Sequence, residues 1–124
     1  MSNEGRPLSP HLTIYRWPIT MTLSILHRIT GVALAVGLIA FVFWLEGIAY
    51  EAVSYDLFNE LMRSVIGQFA LLGWLFSFFF HLSNGIRHLI WDTGHLFEKR
   101  QADLSAWLVL VAAVVLTACY WIIA

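Results

Sequence analysis

Three apolar runs, each long enough to cross a bilayer, constrain the fold of this chain more than any other feature. They cover roughly residues 23–45, 65–90 and 106–123. A helix of about 20 mostly apolar residues spans the ~30 Å hydrocarbon core of a membrane. The chain is 60% apolar and 12% charged, whereas soluble domains are about 45–50% apolar and 25% charged. We therefore predict an all-α membrane protein with three transmembrane helices.

Basic residues are unevenly distributed around these runs. Only Arg63 flanks the first link, residues 47–60, which is otherwise acidic. The other six basic residues flank the opposite ends of the runs: Arg6, Arg16, Arg28, Arg87, Lys99 and Arg100. Short cytoplasmic flanks of membrane helices carry the excess of Lys and Arg. The pattern thus predicts a cytoplasmic N-terminus, a cytoplasmic second link at residues 91–105, and an outside C-terminus.

The N-terminal residues differ from the rest of the chain. The Ser9-Pro10 and Trp17-Pro18 pairs disfavour helix, so we expect a non-spanning segment at residues 1–22 and a three-helix anchor at residues 23–124. The first ten residues contain no apolar signal core, which favours a bacterial inner membrane, although an organelle-encoded copy would look the same. A net charge of −1 argues against a nucleic-acid surface, which needs a basic face.

Polar residues line one stripe at the end of the second apolar run. At 3.6 residues per turn the stripe contains Ser77, His81, Asn84, Gly85, His88 and Asp92. A polar stripe on an apolar helix must face protein, water or a cofactor. An ionisable residue at membrane depth is a functional-site hypothesis, so this stripe is the first candidate site.

His81 is the sharpest candidate within the stripe. It lies about 13–14 Å below Ile90 along the helix, close to the middle of the membrane. Neutral imidazole there is either a hydrogen-bonded packing group or a haem iron ligand. His27 and His88 are expected near the membrane surface, offset from His81 by roughly 10 Å or more. A second axial ligand would then come from another chain.

A second polar group lies where the first helix enters the membrane. Ser24, His27, Arg28 and Gly31 share one helical face. Arg28 either snorkels to the surface or pairs with an anion. With His27 it could hold haem propionates, and with Ser24 it could donate hydrogen bonds to a quinone carbonyl.

The polar end of the second run and the small residues leave further alternatives open. Arg87, His88 and Asp92 could form a proton-supplying network, or Arg87 and Asp92 could form a simple interfacial ion pair.

Small residues on the first two helices could admit a neighbouring helix or a flat ligand: Gly31, Ala35, Gly73, Ser77 and Gly85. The third helix is expected to be structural, with Cys119 as a packing residue.

Three motifs in order carry a family resemblance that covers nearly the whole chain. They are residues 6–15 (RPLSPHLTIY), 24–31 (SILHRITG) and 81–89 (HLSNGIRHL). With the helix count, they resemble the cytochrome b membrane subunits of succinate dehydrogenase, respiratory complex II. The resemblance implies a larger helix bundle shared with a second hydrophobic anchor subunit, and docking of iron–sulfur and flavoprotein subunits on the cytoplasmic side, partly through the N-terminal segment.

The same resemblance implies roles for individual residues. His81 would be the axial ligand of one haem b, His27 a propionate contact, and Ser24 and Arg28 would line the ubiquinone site. The chain would pass electrons from the iron–sulfur clusters to ubiquinone without touching succinate. Two alternatives stay open: a cofactor-free structural anchor with a hydrogen-bonded His81, and the anchor of a fumarate reductase.

Overall fold

The computed structural model describes Gly5, Pro7 and residues 16–50 and 53–124. These ranges contain four helices and no strand: α1 (Ile19–Ala49), α2 (Val53–Arg63), α3 (Val65–Asp92) and α4 (Lys99–Ile123). Helices α1, α3 and α4 are each long and apolar enough to cross a membrane. The predicted all-α fold with three spanning helices is therefore confirmed.

The spanning helices are longer than the apolar runs that predict them. Helix α1 begins at Ile19, directly after Pro18, whose carbonyl accepts hydrogen bonds from the amides of Met21 and Thr22. Helix α4 begins at Lys99, seven residues before its apolar run. Helices continue into polar sequence where they reach water, so hydropathy underestimates their length. The N-terminal segment predicted at residues 1–22 lies mostly outside the described residues, and its last four residues belong to α1.

Helix α2 is absent from the sequence prediction, which treated residues 47–60 as a link. Its half-buried residues recur at helical spacing: Tyr55, Phe58, Asn59 and Met62. This spacing is the signal that could have identified it. The Trp44 indole N–H donates to Asn59 Oδ1 at 3.3 Å, and a Cβ built at Gly47 would lie 3.1 Å from Tyr55 Cβ. Helix α2 therefore packs closely across the end of α1.

Helix α3 lies between α1 and α4 and makes most of the interhelical contacts. The buried apolar residues come from all three spanning helices: Leu23, Phe80, Ala106, Val109 and Ala113. Many large apolar side chains are exposed on the outer faces, as expected for surfaces that meet lipid or other membrane subunits. Cys119 is among the exposed residues of α4, so its predicted packing role inside the chain is wrong.

Candidate functional site

The part of α3 that carries the polar stripe has two flanks with different surroundings. Phe80, Asn84 and Arg87 are buried and form what we name the closed flank, which faces α4. His81, Gly85 and His88 lie one residue further around the helix and are half-buried or exposed; we name them the open flank. The residues of the predicted stripe therefore meet two environments, because successive positions on a helix are rotated by about 100°.

Three imidazole rings form a stack on the open flank. The His27 ring centroid lies 3.8 Å from that of His81, with an interplanar angle of 11°, and 5.3 Å from that of His88, with an angle of 16°. His81 and His88 are two helical turns apart, about 10 Å. The His27 side chain of α1 therefore lies between the two rings of α3.

This stack corrects the predicted offset between His27 and His81. Because α1 begins at Ile19, His27 is eight residues into the helix, about 12 Å from its start. That depth is close to the roughly 13–14 Å estimated for His81 from Ile90. The predicted separation of 10 Å or more along the helices was wrong because α1 was expected to start at residue 23.

Thr30 determines which nitrogen of His81 carries the proton. The Thr30 hydroxyl donates to the His27 carbonyl oxygen at 3.1 Å and lies 3.3 Å from His81 Nδ1. A carbonyl only accepts hydrogen bonds and a hydroxyl has one proton. Both contacts are satisfied together only when His81 Nδ1–H donates to Thr30. The lone pair of His81 then lies on Nε2, the nitrogen that a metal would bind.

The surroundings of His81 fit a flat ligand held by one axial nitrogen. His81 Nε2 makes no hydrogen bond to any described residue. A Cβ built at Gly31 would lie 3.2 Å from His81 Cε1, so the glycine allows the ring to pack against α1. At Gly85, one turn from His81, no described atom lies within 4 Å of a built Cβ. The open flank thus leaves space at Gly85, one helical turn from His81.

His27 is not placed to bind a metal opposite His81. Two parallel rings at 3.8 Å leave no room for a macrocycle between them. Within the described ranges, no group of three His, Cys, Asp or Glu side chains could hold a metal ion either. These residues fit a haem with one ligand from this chain better than a chelated metal ion.

The other predicted residues of α1 lie on the outside of the bundle. Ser24 and Arg28 are exposed, and neither makes a hydrogen bond to the part of the chain that the structure describes. The Nδ1 atom of His27, between them in sequence, is buried without a hydrogen-bond partner. The structure therefore brings His27 to His81 and leaves Ser24 and Arg28 available to groups outside the three-helix unit.

Arg87 joins α3 to α4 and does not pair with Asp92. Its Nε donates to Ser105 Oγ at 2.8 Å, and its two terminal nitrogens donate to the Ala102 carbonyl at 3.1 Å and to Asn84 Oδ1 at 3.4 Å. The guanidinium carbon lies 4.0 Å from the centre of the Trp91 ring. The alternative of an Arg87–Asp92 ion pair is wrong, because the early start of α4 places polar groups beside Arg87.

His88 and Asp92 are not joined into a network in the structure. His88 Nδ1 lies 2.9 Å from the Asn84 carbonyl oxygen, and its ring is 5.1 Å from that of Trp91. Asp92 is exposed at the end of α3. His88 therefore bonds to its own helix and extends the ring stack toward the surface.

An apolar cleft lies toward the α2 end of the bundle, and sequence reasoning did not identify it. Its volume is about 840 Å³, and α1, α2 and α3 line it. A Cβ at Gly37 would overlap the Trp74 indole, so this glycine lets Trp74 lie against α1. The cleft begins at Ser77, one turn from His81.

Comparison with known proteins agrees with the motifs. Residues 2–120 match the family model described as succinate dehydrogenase/fumarate reductase transmembrane subunit. The chain is 42% identical to the succinate dehydrogenase cytochrome b556 subunit of Rickettsia typhi, over 94% of this chain and 91% of that protein. The corresponding subunit of Paracoccus denitrificans is 37% identical, over 92% and 88% of the two chains. The mitochondrial cytochrome b560 subunit of Sus scrofa is 39% identical, over 90% and 67%.

The extent of these matches is sufficient to assign the family. Relatives from Rickettsia and Paracoccus, together with three helices that can span a membrane, indicate a multi-pass protein of a bacterial inner membrane. The chain belongs to the family of succinate dehydrogenase and fumarate reductase transmembrane subunits, as a cytochrome b anchor subunit of complex II.

Proposed function

We propose that this chain is the haem b-binding anchor of a succinate:ubiquinone oxidoreductase and forms part of its ubiquinone-reducing site. The observation that carries the proposal is the state of His81: its Nδ1–H donates to Thr30, and its Nε2 makes no hydrogen bond to any described residue. A bound haem would supply a one-electron carrier next to the quinone.

His81 Nε2 would bind the haem iron from this chain, and a partner anchor subunit would supply the other ligand. The parallel packing of His27 on His81 supports a second ligand from another subunit, because it leaves no room for a haem between the two rings. The exposed apolar surfaces of the spanning helices provide area for such a partner. The unpartnered Nδ1 of His27 would be available to bond to a haem propionate.

Ser24 and Arg28 act on the quinone from the outer face of α1. They are exposed and four residues apart, so they lie on one face of the helix. The Ser24 hydroxyl donates to a quinone carbonyl and orients the ring. The Arg28 guanidinium stabilises the negative charge that develops on that oxygen during reduction, and it would also be able to bond to a haem propionate.

The proposed orientation places the N-terminus and the α3–α4 link in the cytoplasm and the C-terminus outside. Three spans put the start of α1 and the end of α3 on the same side, and the basic flanks favour the cytoplasm for that side. The iron–sulfur and flavoprotein subunits would dock there, near Ser24 and Arg28. The N-terminal residues that the resemblance assigns to this docking lie outside the described residues.

The first test replaces His81 by alanine in the assembled complex, with His95→Ala as the matched control. His95 is exposed in the α3–α4 link. We expect His81→Ala to abolish the low-spin haem b absorption spectrum and His95→Ala to leave it unchanged. A His81→Ala complex with the spectrum of the parent would favour a cofactor-free packing role for this histidine.

The second test addresses the quinone site by comparing Arg28→Ala with Arg63→Ala. Arg63 is exposed at the end of α2, on the opposite side of the membrane in the proposed orientation. Loss of one preorganised charge-stabilising donor reduces turnover by about 10²-fold or more. We expect that loss for ubiquinone reduction by Arg28→Ala, with succinate oxidation by a soluble artificial acceptor retained. An equal loss of both activities would indicate failed assembly, and no loss of either would exclude Arg28 from the site.

The alternative of a fumarate reductase anchor uses the same residues in the reverse direction. The matching family includes both kinds of complex. The relatives compared above are all named as succinate dehydrogenase subunits, which supports succinate oxidation as the working direction.

A further inference from the structure

We propose that Thr30 is a positioning residue that sets the donor strength of His81 toward haem iron and thereby lowers the reduction potential of the haem. The inference rests on the proposed haem-binding function. Its basis is a chain of two hydrogen bonds, from His81 Nδ1 to Thr30 Oγ1 and from Thr30 Oγ1 to the His27 carbonyl.

The protein interior protects this chain of hydrogen bonds from water. Thr30 is 4% exposed, so solvent cannot readily replace its hydroxyl as the acceptor for His81 Nδ1–H. A threonine side chain in a helix has few rotamers, and bonding to the carbonyl three residues earlier selects one of them. The Thr30 hydroxyl is therefore held in place before any ligand binds.

The same helix restricts rotation of the His81 ring. Gly31 presents its backbone to the Cε1 edge of the ring, with a built Cβ at 3.2 Å, while Thr30 holds the adjacent Nδ1 atom. Two neighbouring residues of α1 thus determine the tautomer and the plane of the imidazole. The direction of the free Nε2 is fixed together with the plane of the ring.

The sign of the effect on the potential follows from ligand basicity. A hydrogen bond from Nδ1–H gives the imidazole partial imidazolate character and makes Nε2 a stronger electron donor. A stronger donor stabilises ferric iron more than ferrous iron and lowers the reduction potential. Removal of the Thr30 hydroxyl should therefore raise the potential and weaken retention of the haem.

The test compares Thr30→Val, which keeps the shape and removes the hydroxyl, with Thr30→Ser, which keeps the hydroxyl. Thr117→Val is the control for loss of a buried threonine hydroxyl, since Thr117 Oγ1 donates to the Ala113 carbonyl of its own helix. The assembled complex in detergent is titrated for the haem midpoint potential, and haem release is followed by absorbance. If Thr30→Val does not assemble, Thr30→Ala provides the same comparison.

We expect Thr30→Val to shift the midpoint upward and to weaken haem retention by about 10-fold or more. Thr30→Ser and Thr117→Val should both match the parent. An unshifted midpoint in Thr30→Val, or an equal shift in Thr30→Ser, would overturn the inference. Retention of haem by His81→Ala would instead refute the proposed function, so the two failures are distinguishable.

Discussion

The two flanks of α3 come from the same nine residues, 80–88, yet one is closed within the chain and the other is left open. On the closed flank the Arg87 side chain donates hydrogen bonds to Asn84, Ser105 and the Ala102 carbonyl. On the open flank His81 keeps a free nitrogen, and a Cβ built at Gly85 meets no described atom within 4 Å. One helix thus serves stability on one side and, in the proposed function, ligand binding on the other.

The difference arises from the helix that packs against each flank. Helix α4 brings a hydroxyl and a carbonyl to the closed flank, and both accept hydrogen bonds from Arg87. Helix α1 brings His27, Thr30 and Gly31 to the open flank. His27 stacks on the face of the His81 ring, while Thr30 and Gly31 contact its Nδ1 and Cε1 atoms. Changes on the two flanks should therefore have different consequences.

The largest effect on stability is expected for Arg87→Ala on the closed flank. The change leaves a cavity and removes the donors that bond to Asn84 and to two groups of α4. We expect the free energy of unfolding to fall by about 2–4 kcal/mol. The measurement is unfolding of the complex by SDS titration in mixed micelles. If the haem remains bound in the surviving complex, its spectrum should be that of the parent.

Ser105→Ala is the matched variant with a smaller expected loss of stability, because it removes one of the three acceptors of Arg87. A loss of about 1 kcal/mol is expected. A shift in the haem spectrum without a loss of stability, in either variant, would contradict a purely structural role for the closed flank.

A smaller effect on the free energy of unfolding, of opposite sign, is expected for Gly85→Ala on the open flank. No described atom lies within 4 Å of a Cβ at this position, and alanine favours a helix over glycine by about 0.8–1 kcal/mol. The haem-depleted complex should therefore gain stability in the same SDS titration. We expect haem retention to fall, because the methyl group would occupy open space on the same flank as His81.

Gly37→Ala is the control for the glycine change, because a Cβ there would overlap the Trp74 indole. That variant should lose stability without a specific loss of haem. Equal haem retention by Gly85→Ala and the parent would mean that the space at Gly85 belongs to lipid or to a partner helix.

The candidate site was only partly predictable from sequence. His81 stood out because an imidazole in the middle of an apolar run is unusual, and the motifs around it carry the family resemblance. Thr30 did not stand out, because a threonine in a membrane helix is ordinary in sequence. Its position becomes informative only once α1 brings it within 3.3 Å of His81.

The errors in the prediction share one physical cause. Hydropathy detects where a helix meets hydrocarbon and not where its backbone hydrogen bonds begin. It therefore missed the four additional residues at the start of α1, the seven at the start of α4, and the amphipathic helix α2. Those starts decide which side chains meet, namely His27 with His81 and Arg87 with Ser105.

The sequence by itself determined the number of spanning helices, their approximate positions and the family, because apolar length and local motifs are properties of contiguous residues. Only the tertiary structure decided how the polar residues of α3 divide between a closed and an open flank. That division depends on the neighbouring helix at each position. A change of one residue rotates a side chain by about 100°, which is enough to move it from an interhelical hydrogen bond to an open surface.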